Sequence, residues 1–301
     1  MEDQIERQDI YSRVTNQIIE QIEAGVFPWS RPWKNSRAAA VTSGFAMPRN
    51  AASMKTYSGI NVLLLWSARY EKGYALPLWL TFKQAAGVGG QVRKGEKATP
   101  VVYADSFIPR EERQKAREEG REPRPTYFLK SFYVFNVAQV DNLPDDMITI
   151  EAPAEPETIP ARIEQIANQL RVRIKIEGNK AFYHPIFDSV TIPAPVQFSD
   201  RLDFDRVLLH ELTHATGHTS RLARDLTGTF GSNKYAREEL IAELGAAFAA
   251  ASMGIEPTVH HAEYLHTWLR VLKEDKRAIF SAASAASKAA NMILNVSTED
   301  E

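Results

Sequence analysis

Apolar residues recur at helical spacing near the start of the chain. Ile10, Val14, Ile18, Ile19 and Ile22 fall on one face of a segment that runs from Ile10 to Ala24, where Gly25 stops it. Tyr57-Ser58-Gly59-Ile60-Asn61 leads a second helix to Trp66, and Trp79-Leu80-Thr81-Phe82-Lys83-Gln84 stands ahead of another short one. Two apolar stretches, Lys97 to Tyr103 and Tyr127 to Val137, read as strands. Between them a polar run from Pro109 to Pro125 reads as an insertion loop or a helical arm. Its cations Arg110, Arg113, Lys115, Arg117, Arg121 and Arg124 are matched by neighbouring acids, which suggests a solvated excursion rather than a dedicated patch. Trp66, Phe132, Tyr133 and Phe135 are expected in the core.

Proline and acid crowd the stretch from Asn142 to Pro160, the signature of a linker. Beyond it, Leu170 to Ile176 and Ala181 to Ile192 read as a hairpin. A helix follows, with Ser199 or Asp200 as its cap, an apolar stripe of Val207, Leu208, Leu209, Leu212 and Ala215, and Gly217 at its end. Tyr235 to Gly245 and His260 to Ala289 are helical by spacing. The expected architecture is α+β, with one domain over residues 1–142, a linker over 143–160 and a second domain over 161–301.

Composition narrows the chemistry. The chain has 301 residues and no cysteine, so thiol nucleophiles, disulfides and iron–sulfur clusters are excluded, and any metal must rest on histidine and carboxylate. The N-terminus is polar and acidic rather than basic and apolar, and the apolar stretches fall far short of a membrane span. A cytoplasmic protein without a membrane partner is expected. The net charge of -2 conceals a division, because residues 1–142 hold 20 Lys+Arg against 15 Asp+Glu, while the remainder holds 16 against 23. The basic half suits a polyanion, although a net of +5 is also ordinary for a solvated domain.

His210-Glu211-Leu212-Thr213-His214 carries the sharpest chemical signal. Residues four apart share a helix face, so His210 and His214 can reach one ion, and Glu211 sits beside them as a general base. Zinc is the expected ion, with another divalent transition metal as alternative; it brings the pKa of water to about 7, where a carboxylate can take the proton. Glu238, Glu239 and Glu243 are candidates for the third ligand; Glu239 and Glu243 share a face, while Glu238 points elsewhere. His218 is expected to be a capping or solvated residue because Gly217 ends the helix before it. This arrangement resembles that of the gluzincins. The resemblance implies that Glu239 is the ligand and Glu243 the acceptor behind an imidazole, with the reverse assignment still open. His260, His261 and His266 have no acids at ligand spacing and read as surface or packing residues.

Rings interleaved with cations are the physical recipe for holding unpaired strands, because bases stack on rings while Arg and Lys neutralise phosphates. Trp29, Arg31, Trp33, Arg49, Tyr57, Trp79, Lys83, Arg93, Lys94 and Lys97 are the candidates, and composition does not separate them from core residues. Several segments together resemble the ArdC-type antirestriction proteins: Pro28-Trp29 with Pro32-Trp33, Tyr57-x-Gly59-Ile60-Asn61, Trp79 to Gln84, Val92 to Lys97, and Phe135-Asn136-Val137-x-Gln139, then His210 to His218 and Glu238 to Gly245.

That resemblance, shared in its first part with the N-terminal portion of plasmid TraC primases, implies a domain that binds single-stranded DNA followed by a zincin-like metallopeptidase. It further implies a place on conjugative plasmids, where such proteins protect incoming DNA from host restriction. Double-stranded DNA stays open as a second ligand, and the protein partner is either a peptidase substrate or a restriction enzyme. In the alternative reading the metal is structural and no peptide bond is cut. In zincins an edge strand beside the metal holds an extended peptide, which makes Tyr183 and His184 candidate substrate contacts.

Overall fold

The computed structural model describes residues 10–30, 46–149, 159–258 and 264–294. Arg31, Trp33, His260 and His261 lie outside the described residues. The first part contains α1 (Ile10–Glu23), β1 (Arg49–Asn50), α2 (Ile60–Lys72), β2 (Leu78–Thr81), α3 (Phe82–Gly87), β3 (Gln91–Val92), β4 (Thr99–Phe107), α4 (Arg110–Glu118), β5 (Thr126–Asn136) and β6 (Val140–Asp141). The second contains α5 (Ile159–Gln169), β7 (Arg173–Ile176), β8 (Phe182–His184), β9 (Ser189–Ile192), α6 (Arg201–Thr216), α7 (Asn233–Ser252), α8 (Leu265–Glu274) and α9 (Ala278–Leu294).

The main sheet has the order β1-β2-β5-β4, with β1 parallel to β2 and the other pairs antiparallel. The turn from β2 into α3 is fixed by a capping box: Thr81 Oγ1 accepts from Gln84 N while the Gln84 side chain accepts from Thr81 N. Only the base of β5 pairs with β2, from Asn136 to Val134, so the outer halves of β4 and β5 leave the sheet as a two-stranded arm. The expected excursion at its end is an ordered helix, α4. Its neighbouring turn is closed by Glu112, whose carboxylate accepts from the Arg121 guanidinium and from Arg124 N at 2.8 Å.

The small second sheet corrects the expected hairpin. Its order is β7-β9-β8, with β8 antiparallel to β9 and β7 parallel to it. The β9 strand is buried along its whole length and takes a neighbour on each side. The short turn at residues 185–188 gives it β8; β7 is left with the far edge, and β8 is the return strand that makes the pairing parallel. A second correction lies at the C-terminus, where the expected single helix divides into α8 and α9 at Asp275, which has extended backbone.

One apolar cluster joins the two halves of the chain. Ile18 and Ile22 of α1 and Val62, Leu63 and Trp66 of α2 belong to the same core as Leu209 of α6, Phe248 of α7, Trp268 of α8 and Ile279 of α9. Rings meet across the division, Trp66 with Phe248 at 5.5 Å between centroids and Trp29 with Trp268 at 6.0 Å. Thr15 Oγ1 donates to Lys276 O at 2.7 Å, and Gly59 N donates to Ser287 Oγ at 2.8 Å. The N-terminal helices therefore brace the helices that carry the histidines.

Candidate metal centre and cleft

Two buried helices build the site. The first, α6, starts at Asp200, whose side chain accepts from Asp203 N at 2.7 Å, and ends at Gly217. The second, α7, starts at Ser232, whose side chain accepts from Tyr235 N. They touch at Gly245, where a Cβ atom would stand 2.5 Å from Thr213 Cγ2. Only glycine permits that approach, which brings the acids of α7 against the histidines of α6.

His210 Nε2 and His214 Nε2 are 3.2 Å apart. Each lies 3.5 Å from a different oxygen of Glu239. In a tetrahedral site with bonds of ~2.1 Å, adjacent ligand atoms stand ~3.4 Å apart, so the three residues fit a zinc-sized divalent ion. Among the described residues this is the group of His, Asp and Glu whose ligand atoms all fall within 4.8 Å of one another. The charges agree with that fit: Glu211, Glu238, Glu239 and Glu243 are all buried, with the guanidinium of Arg224 against Glu238. Burial opposes a charge on the His214 ring, yet Glu238 and Glu239 outweigh it and push its pKa up to about 10. Burial likewise raises the pKa of Glu239, but hydrogen bonds from His210 and His214 win and hold it far below the usual carboxylate range. The pocket demands positive charge, which a proton or a divalent ion can supply.

The outer nitrogens face carboxylates. Glu243 Oε2 lies 3.7 Å from His210 Nδ1, and Glu238 Oε1 lies 3.1 Å from His214 Nδ1. Glu243, which the resemblance implies as an acceptor behind an imidazole, lies beside the His210 ring. Glu238 does not point elsewhere, contrary to expectation: it backs His214 and is itself clamped by Arg224, whose Nε and Nη2 lie 3.0 and 2.8 Å from its two oxygens. Arg224 also donates to Thr213 O and Thr216 Oγ1, both at 2.8 Å, tying the loop after α6 to this pair. Spacing within one helix missed Glu238 because the α6–α7 crossing decides which acid meets which ring.

Glu211 lines a cleft of about 340 Å³ together with the two histidines, Glu239, Tyr235, and Phe182 and Tyr183 of the edge strand β8. Tyr183 donates to Asp188 at 2.8 Å, and Asp188 in turn holds Arg221, which donates to Ala215 O at 2.7 Å. That chain of contacts fastens the β8 wall to the end of α6. His184 packs against Phe187, at 4.5 Å between ring centroids. Tyr235 shares a hydroxyl hydrogen bond of 3.1 Å with Tyr264; burial, that bond and the nearby Glu239 push its pKa far up, so it stays protonated. His218 meets the Ser220 hydroxyl at 2.7 Å and accepts from Ser220 N, a local turn contact apart from the histidine pair.

The residues expected to grip DNA scatter. Trp29 and Trp79 are fully buried and serve the core, so neither offers a ring to a base. Tyr57 is half-buried against the cluster that holds Trp79. Arg93 is paired with Glu96 at 2.9 Å and Asp141 at 3.2 Å. Arg49, Lys83, Lys94 and Lys97 are exposed. By contrast Phe132 and Tyr133, expected in the core, are 47% and 58% exposed because β4 and β5 run past the edge of the layers that would have covered them.

Known proteins place this architecture. A family profile described as the N-terminal domain of anti-restriction factor ArdC matches residues 8–135, and one described as a zincin-like metallopeptidase matches residues 161–285. An uncharacterised protein of Sinorhizobium fredii, y4eC, is 40% identical over 94% of this chain and 91% of its own length. Two Escherichia coli proteins named DNA primase TraC are 35% and 37% identical, and the chain matches 27% and 19% of their lengths. The antirestriction protein ArdC from plasmid R388, solved metal-free, superposes with a TM-score of 0.76 at 37% identity, over 95% of this chain and 97% of that one. Its Mn(II)-bound structure gives 0.75 at 36% identity, over 97% and 100%. With both profiles in the same order and likeness along nearly its full length, the chain belongs to the ArdC antirestriction family and carries a zincin-like domain after its ArdC N-terminal domain.

Proposed function

We propose that this chain binds single-stranded DNA and hydrolyses peptide bonds with a divalent metal, zinc for preference, and so protects incoming plasmid DNA from host restriction. The observation that carries the hydrolytic half is the near-tetrahedral spacing of His210, His214 and Glu239 beside Glu211 in an open cleft. The three would hold the ion, with Glu238 and Glu243 orienting the rings. When bound, the ion acts as a Lewis acid toward water and the scissile carbonyl. Glu211 takes a proton from water entering the cleft and returns it to the departing amine. Tyr235, kept protonated, is a hydrogen-bond donor on the cleft wall.

The R388 relative has been solved both metal-free and with Mn(II), which favours a removable cofactor over a structural staple. The nucleic-acid half is supported by the basic balance of residues 1–142, by the ArdC N-terminal profile, and by likeness to proteins named as DNA primases. No helix among the described residues is long and apolar enough to cross a membrane.

The test of the hydrolytic half is Glu211→Gln. The variant should keep the fold and its metal while losing about 100-fold or more of the cleavage rate on a fluorogenic peptide library. Unchanged cleavage would remove Glu211 from the reaction, and no cleavage by metal-loaded wild type across the library would favour a non-proteolytic site.

A further inference from the structure

The β4–β5 arm carries a surface that neither the core nor the metal centre uses. In its register Tyr103 opposes Lys130, Val101 opposes Phe132, Asp105 opposes Phe128 and Phe107 opposes Thr126, so these residues share one face. Beyond Val101 that face is open: Tyr103 is 56% exposed, Phe107 53% and Phe132 47%. The rings pair diagonally, Tyr103 with Phe132 at 6.1 Å and Phe107 with Phe128 at 5.8 Å between centroids, and Lys130 Nζ stands 4.8 Å over Phe128. Asp105 lies among them, its carboxylate accepting from Ser106 N. Part of the opposite face rests on the protein, where Leu129 packs against the main core and Ser131 meets Arg13 of α1, while Tyr133 on that side is exposed.

Charge completes the surface. On α4 the positions 110, 113 and 117 fall on one helical face, and Arg110, Arg113 and Arg117 are all exposed. Glu112 and Glu119 both pair with Arg121 elsewhere on the arm, leaving that arginine row without an ion pair among the described residues. A row of unneutralised guanidinium groups at the end of a ladder of exposed rings combines the two requirements for holding an unpaired strand. An apolar protein partner would have no use for the arginines, and duplex phosphates alone would have none for the rings.

We infer that the β4–α4–β5 arm is the surface that grips single-stranded nucleic acid, its bases stacking on Tyr103, Phe107 and Phe132 and its phosphates meeting Lys130 and the α4 arginines. This rests on the DNA-binding half of the proposed function and gives it a location. The experiment is fluorescence anisotropy of a labelled oligothymidylate with the full chain over a range of salt. Y103L with F132L keeps apolar bulk but removes two flat rings, and should weaken binding about tenfold or more. R110Q with R113Q and R117Q should weaken it and flatten the slope of log affinity against log salt by about 2, at roughly 0.7 per phosphate contact. Folded variants that bind like wild type overturn the location while leaving DNA binding intact, whereas a wild type that binds no single strand at low salt overturns both. Equal affinity for duplex, untouched by the ring changes, also overturns it. Should the ring variant melt early, photocrosslinks from a bromodeoxyuridine strand to the unaltered chain must map to residues 99–136, and crosslinks confined elsewhere refute the inference.

Discussion

The metal centre and the β4–β5 arm use charge and rings in opposite ways. At the centre, buried imidazoles stand between carboxylates, Glu239 on the inner side and, on the outer, Glu243 near His210 and the Arg224-clamped Glu238 against His214. On the arm, half-exposed rings and arginines without an ion pair among the described residues face solvent, on a scaffold of strand pairing, the Glu112 contacts of the turn and the footing of Leu129 and Ser131 on the protein. A buried, cross-braced site suits a small ion that demands fixed geometry, and an open, sequence-tolerant surface suits a flexible polymer. The difference teaches that precision in this molecule comes from the α6–α7 contact and adaptability from the part of the sheet that outruns its core.

Changes at the centre should have the larger effects. Glu238→Gln removes the negative charge behind His214 and one of the two oxygens that hold Arg224, and should lower metal affinity by about 10- to 100-fold while the fold persists, read by titration with a competing chelator. If affinity does not change, Glu238 serves only to anchor the loop after α6. Gly245→Ala comes next, because its Cβ would collide with the buried Thr213. A cost of about 1–3 kcal/mol is expected in unfolding, with a parallel loss of metal affinity as α6 and α7 separate. A neutral or stabilising result would mean that the contact does not set the spacing of the site.

The smallest effect belongs to the arm. Hydrogen bonds from Arg121 and Arg124 N lower the pKa of Glu112 from the ordinary 4.5 to about 2. The folded value is depressed, so its contribution to the α4 turn is complete above about pH 4.5 and is lost as pH falls toward 2. Hydrogen exchange of α4 amides, corrected for intrinsic rates, should therefore lose protection across that window, and Glu112→Gln should abolish the pH dependence. A transition that remains in the variant would assign it to other acids.

Features that repeat locally could be read from the sequence. The helix over His210 and His214, its Asp200 cap and its Gly217 end follow from side-chain spacing within one element, and the proximity of Glu239 follows from the next. Features set by contacts between distant segments could not. Glu238 met His214 only because α7 crosses α6, and β7 joined β9 rather than β8 because a buried central strand takes two neighbours. The ring residues misled for a related reason: Trp29 and Trp79 lie under α8 and α2 neighbours, whereas Phe132 and Tyr133 stand where the strands have left the layers behind. The shared core was hidden by the proline-rich stretch after Asn142, since a composition break marks a change of segment without implying separate cores.

Isothermal titration of the chelator-stripped chain with Zn²⁺, repeated with Mn²⁺, tests the central claim most directly, with His210→Ala and Glu211→Gln run beside wild type. One ion per chain should bind to wild type and to Glu211→Gln, and none stoichiometrically to His210→Ala. Binding that survives His210→Ala, or a wild type that takes up neither ion, would contradict the assignment of the metal to the histidine pair.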